Sequence, residues 1–171
     1  HSKDLTIEPN TILKFSSPTA NLRVRSTARL IAEGSEAQPI IATTDADDSA
    51  CLFAGDPTPR ISCDTDNDAK EPRPGAWQRI EVEDTGGVAS IKHVTLRYGS
   101  SESLLIRSPG AVLDHVGIAY ANGVALRLFN GTKSVAGNYM TVTNSHFANN
   151  LGSAVDLDSL TVPITVSLQS S

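Results

Sequence analysis

The sequence predicts an all-β chain wound as a parallel solenoid of about seven coils, and three observations carry the prediction. Apolar and polar residues alternate at period two in short runs, two internal repeats recur at fixed offsets, and no capping box precedes a 3.6-period apolar run anywhere in the 171 residues. Hydrophobic residues make up 39% of the chain and charged residues 19%, with Ile, Val and Leu spread throughout. That composition suits one continuous core and argues against wholesale disorder. The net charge is -5 and the Lys and Arg residues are scattered, which weighs against nucleic-acid binding. No apolar run approaches the roughly 18 residues of a membrane-spanning helix.

The first repeat is N-terminal. Leu5, Ile7, Leu13 and Phe15 fall on Leu22, Val24, Leu30 and Ala32 at a constant offset of 17, with breaks at Pro9-Asn10 and Ser26-Thr27. Each half reads as short half-buried strands joined by tight corners. The second repeat is longer. Ile91-Lys92-His93-Val94-Thr95-Leu96-Arg97-Tyr98 overlays Leu113-Asp114-His115-Val116-Gly117-Ile118-Ala119-Tyr120 at offset 22, and a third copy beginning at Val142 follows at a further 29. Downstream, Leu104 and Ile106 match Leu126 and Leu128, which match Val155 and Leu157; Gly123 matches Gly152. The additional residues of the longer offset fall in the Gly- and Asn-rich stretch 129–138, a loop by composition.

Within a copy the apolar spacing is three, then two: Ile91, Val94, Leu96, and again Leu113, Val116, Ile118. Strict alternation would put the first two on opposite faces, so both point inward only if the chain bends between them. The bend falls at His93, His115 and Asn144, residue types that tolerate left-handed backbone. Stacking successive coils about 4.8 Å apart then aligns Val94, Val116 and Ser145 in one inward column and Leu96, Ile118 and Phe147 in another. A β-sandwich shares the alternation, but fixed offsets carrying residue identities favour the solenoid.

Four segments in order, Leu5-Thr6-Ile7-Glu8-Pro9-Asn10-Thr11-Ile12-Leu13-Lys14-Phe15, Glu33-Gly34 through Pro39-Ile40-Ile41-Ala42-Thr43, Pro74-Gly75-Ala76-Trp77-Gln78-Arg79-Ile80-Glu81-Val82 and Ile91-Lys92-His93-Val94-Thr95-Leu96-Arg97-Tyr98-Gly99, resemble signposts of right-handed parallel β-helix repeat proteins. These belong to the pectate-lyase-like superfamily, of the bacterial secreted and cell-surface type. The resemblance implies one right-handed β-helix domain over 1–171, interrupted by a loop insertion at 44–76. It also implies an exported, extracellular or cell-surface location. It implies little about activity, because that superfamily holds lyases, hydrolases, adhesins and tailspikes.

Cys51 and Cys63, the only cysteines, both lie in the insertion. In an exported protein they read as a disulfide clamping the loop, contributing about 3 kcal/mol by loop closure. Zinc fits poorly without a Cys-x-x-Cys or a nearby His pair. Asp64, Asp66 and Asp68 alternate oxygen ligands as the start of a Ca²⁺ loop does. Ala69 and Gly75, however, stand where an EF-hand type loop has its Gly and its bidentate Glu, so a solvated acidic loop and a Ca²⁺ site both remain open.

No nucleophile motif, P-loop or dinucleotide fingerprint is present. Acidic positions at Glu81, Glu83, Asp84, Asp114, Asp156 and Asp158 read as alternating surface charge, with Leu105 and Arg127 separating Glu81 from Asp156 in one column. Arg79, Arg97 and Arg107 are the basic residues suited to an acidic glycan, and Trp77 to a sugar ring, although its place in the Pro-Gly-x-Trp signpost equally suits packing. Tyr98 and Tyr120 share a column beside Gly99 and Gly123 and read as corner packing.

The expected function is therefore a non-catalytic module of a bacterial cell-surface or secreted protein, adhesin- or stalk-like and glycan-contacting. The alternative is a lyase or glycoside hydrolase acting on an acidic polysaccharide. The final alternating run 160–168 has no cover in the sequence, so the solenoid is expected to be a segment of a longer protein.

Overall fold

The computed structural model describes residues 4–25, 28–50, 66, 69–83, 88–108, 110–129, 139–158 and 163–168. Among these residues all regular structure is strand: β1 (Leu5–Ile7), β2 (Ile12–Phe15), β3 (Asn21–Val24), β4 (Leu30–Glu33), β5 (Ile40–Thr44), β6 (Arg79–Val82), β7 (Val88–Arg97), β8 (Leu104–Ile106), β9 (Gly110–Ala119), β10 (Leu126–Phe129), β11 (Met140–Ala148), β12 (Val155–Asp158) and β13 (Ile164–Leu168). No helix among them is long and apolar enough to cross a membrane. The strands form two sheets. One runs β1-β4-β7-β9-β11-β13, with β5 bridging β2 and β7; the other runs β12-β10-β8-β6-β3. Every strand pair is parallel.

The long repeat emerges as register. Ile91 lies beside Leu113, Val94 beside Val116 and Leu96 beside Ile118, and Phe147 continues the last column. In the second sheet Leu104, Leu126 and Val155 align, as do Ile106, Leu128 and Leu157. Inward residues of both sheets, including Ile91, Leu96, Leu113, Ile118, Leu104, Leu126 and Leu128, belong to one buried apolar cluster. Each such Leu or Ile contributes about 1.5–3 kcal/mol on burial. Branched side chains at period two on parallel strands fit this arrangement because both faces of the core are lined by pleats.

The bend residues do what the spacing requires. His93, His115 and Asn144 have φ of 47°, 54° and 51°, and the flanking Ile91 and Val94 are both buried. At the third copy the inward position holds Ser145 in place of valine. Its buried hydroxyl accepts a hydrogen bond from the Val116 amide (3.1 Å) and donates to the Thr143 carbonyl (2.9 Å), joining β11 to β9 across the bend, where the paired register breaks between Thr143–Asp114 and His146–Gly117.

One expectation is corrected. The offset of 17 does not describe stacking: Leu5 pairs with Leu30 and Ile12 with Ile41, while Leu22 lies in the other sheet opposite Ile80. Alternation is the same in both sheets, so a sequence overlay matches strands of different sheets as readily as strands of one.

Candidate functional site

The outward side of the second sheet carries a ladder of ion pairs. Its central column runs Arg23, Glu81, Leu105, Arg127, Asp156 by strand register. Glu81 is held by Arg23 (2.9 Å) and Arg107 (3.2 Å), and Glu83 by Arg25 (3.3 Å). Glu102 joins Arg79 to Arg127, and Arg127 reaches on to Asp158 (2.9 Å) and Asp156 (3.3 Å). Arg107 also lies with its guanidinium carbon 5.1 Å from the Phe129 ring centroid, a cation–π contact. Arg79 and Arg107 thus sit on one face, and each already has a carboxylate partner. Glu81 and Asp156 are three strand steps apart, about 14 Å at parallel-sheet spacing, beyond the separation of a paired-carboxylate hydrolase.

Arg97 lies elsewhere, at the end of β7 in the first sheet. Its Nη1 is 3.5 Å from Asp47 Oδ2 and donates to Ser49 Oγ at 3.2 Å. Asp47 is buried and also accepts from the Thr43 (2.7 Å) and Ser49 (2.6 Å) hydroxyls. Next along the chain, Tyr98 stacks on Tyr120 with ring centroids 5.1 Å apart and planes at 12°. Both tyrosines have left-handed backbone, φ 61° and 59°. The returning chain of the insertion is pinned to this corner, since the Gly75 and Ala76 amides donate to the Tyr98 carbonyl (3.1 and 3.0 Å). Gly75 itself has φ 85°, a conformation that costs glycine nothing sterically.

Asp47, Asp48, Ser49, Lys70, Glu71 and Tyr98 line a cleft of about 340 Å³ at this corner. A larger, more open cleft of about 670 Å³ adjoins it, lined in part by Thr44, Asp66, Lys70, Glu71 and Arg73. Burial, and next the nearby Asp47 carboxylate, push the Tyr98 phenol above its ordinary value, so it remains a hydroxyl donor through neutral pH.

Trp77 is the sharpest departure from a binding role. It is fully buried, stacks on Phe15 (4.5 Å, 12°) and donates its Nε1 proton to the Arg97 carbonyl at 2.7 Å. It presents no face to a sugar; it packs the returning chain onto the core. Cys51, Cys63, Asp64 and Asp68 lie outside the described residues. Asp66 alone of the three aspartates is described, on the wall of the larger cleft. Among the described residues no group of three or more His, Cys, Asp or Glu side chains is placed to hold a metal ion.

A third cluster sits at the bend. The His93 and His115 rings stack at 4.5 Å and 16°, and Asp114 Oδ1 accepts from Thr143 Oγ1 and Asn144 Nδ2, both at 2.9 Å, with His115 Nδ1 at 3.2 Å. Partial burial raises the Asp114 pKa, but the hydrogen bonds from Asn144, Thr143 and His115 outweigh it and hold the carboxyl below its ordinary value.

Sequence reasoning missed Glu102, the centre of the ladder, because it lies in a turn outside the repeat. It also missed Asp47 and Ser49, which the loop's composition does not distinguish from its other polar residues. No protein-family profile, curated protein or solved structure matches the chain.

Proposed function

We propose that this chain is a right-handed parallel β-helix of the pectate-lyase-like type. In this reading it serves as a non-catalytic, adhesin- or stalk-like module of an exported bacterial surface or secreted protein, and contacts glycans. The observation that supports a structural and binding role over a catalytic one is the ladder itself. Glu81 and Glu102, its least exposed acids, each lie between two arginines. A glycosidase needs two carboxyl groups within about 5–10 Å across a cleft with separated protonation states, whereas here each charge neutralises its neighbour from strand to strand. Parallel register running from β7 through β13 is the geometry of a rod that extends by adding coils. An oxidising exterior is the setting in which Cys51 and Cys63 would pair.

The deciding experiment incubates the protein with uronate-containing and neutral polysaccharides. Ultraviolet absorbance of unsaturated product and release of reducing ends are followed alongside retention on a glycan array. Retention without product is the expected result. Turnover that Arg97→Ala abolishes would replace this reading with that of a polysaccharide lyase or hydrolase.

A further inference from the structure

We propose that the cleft beside Tyr98 is a binding site for a neutral pyranose unit of a glycan, with the Tyr98 ring as its platform. The inference rests on the glycan-contact part of the function proposed above and assigns it a place and a ligand class.

Three observations converge. The first is backbone strain kept at an aromatic residue. The corner column runs Tyr98, Tyr120, Asn149, and all three have left-handed φ, 61°, 59° and 54°. Asn satisfies such a corner with little strain, while a bulky side chain there is an outlier. Two tyrosines are nonetheless retained on adjacent strands and stacked at 5.1 Å. Tyr120 is 38% exposed, so core filling does not account for it.

The second is the cleft. At about 340 Å³ it lies within the roughly 300–1,000 Å³ range of small-ligand sites. Among the described residues its wall combines the Tyr98 ring with hydroxyl, carboxylate and ammonium groups from Ser49, Asp48, Glu71 and Lys70. A pyranose ring offers an apolar C–H face to the ring and hydroxyls that both donate and accept at its rim, which this combination matches. The rigid stack holds Tyr98 in position before the ligand arrives, lowering the ordering cost of binding.

The third is charge. Among the described residues, Asp47, Asp48 and Glu71 line the cleft with Lys70 as the cationic side chain of its wall, and Arg97 is engaged by Asp47 and Ser49. The excess of acid among these described lining residues disfavours a uronate or sulfated sugar and favours a neutral hexose or N-acetylhexosamine. The arginine ladder lies on the other sheet and already has its carboxylate partners.

The test is retention on a glycan array, followed by calorimetric titration of the retained oligosaccharide into the parent protein and into Tyr98→Asn and Tyr98→Phe. Asn is the residue found at the third position of the column, so the first variant removes the platform while keeping a backbone-compatible residue; circular dichroism and the urea midpoint check its fold. The expected result is a neutral oligosaccharide whose affinity falls at least tenfold in Tyr98→Asn and stays within about threefold of the parent in Tyr98→Phe. Affinity unchanged in a folded Tyr98→Asn, loss on Arg107→Ala instead, or preference for oligogalacturonate over neutral sugars would each overturn the site while leaving glycan contact standing. Retention of no glycan at all would end the glycan-contact reading itself.

Discussion

The imidazole rings of His93 and His115 stack 4.5 Å apart and 16° from parallel, at residues whose backbones share the same left-handed conformation. One geometry explains both facts. The inward residues on either side of each bend can face the core only if the chain kinks there, and identical kinks on adjacent parallel strands bring the side chains into register.

The bend therefore constrains the residue type more than the ring does. His115→Asn is expected to be nearly neutral, because Asn144 occupies the next position of the same column at φ 51°. His115→Val, β-branched at positive φ, should destabilise by about 1–3 kcal/mol. Urea unfolding of the two variants measures the difference, and equal midpoints would remove the bend from the account.

Asp114 makes stability fall in acid. Against partial burial, hydrogen bonds from Asn144, Thr143 and His115 hold its carboxyl below the ordinary aspartate value, so the folded state favours the charged form. The contribution is complete above the unfolded pKa and is lost as pH falls through the lower folded value. Urea midpoints measured from pH 6 downward should begin to fall near the unfolded carboxyl's pKa of about 4 and continue to fall through the lower folded value, and the fall should be shallower in Asp114→Asn. Parallel curves for parent and variant would contradict the assignment.

Glu81 is the ladder residue whose loss should matter most. Its side chain is 8% exposed, whereas Arg23 and Arg107 are 37% and 41% exposed. Glu81→Ala removes a mostly buried acceptor but leaves its partners open to solvent, so the expected loss is about 1–2 kcal/mol. That lies between an exposed ion pair and a buried pair broken on one side. Guanidinium chloride screens the charges, so the loss should be read in urea at low salt and should shrink as NaCl is raised.

Trp77, the single tryptophan, provides a built-in probe. Buried against Phe15, it should emit at short wavelength, resist acrylamide quenching and red-shift only on unfolding. Trp77→Ala should cost about 3–5 kcal/mol. Trp77→Phe keeps the stack on Phe15 but strands the Arg97 carbonyl, costing about 1–3 kcal/mol. Quenching by acrylamide in the native state would contradict the burial.

Gly152 tests the longer register. A Cβ there would lie 2.6 Å from the Gly123 carbonyl carbon, so Gly152→Ala forces two backbones apart and should destabilise by about 1–3 kcal/mol. A neutral effect in thermal unfolding would show that the corners at Gly123 and Gly152 do not stack this closely.

By itself the sequence determined the strands, their parallel pairing across the long repeat and the bends, because side-chain periodicity and left-handed tolerance are local properties that identical copies display at fixed offsets. The columns Val94–Val116, Leu96–Ile118 and Leu104–Leu126 follow from that alone. Tertiary structure decided which sheet each N-terminal strand joins, and so moved Leu5 from Leu22 to Leu30. Alternation carries no information about sheet membership. It decided that Trp77 faces inward, that Glu102 bridges two arginines, and that Tyr98 and Asp47 share one cleft. Those contacts join segments far apart in the chain. Their energies depend on which surfaces the folded chain brings within a few ångströms, a quantity that no local pattern of residues encodes.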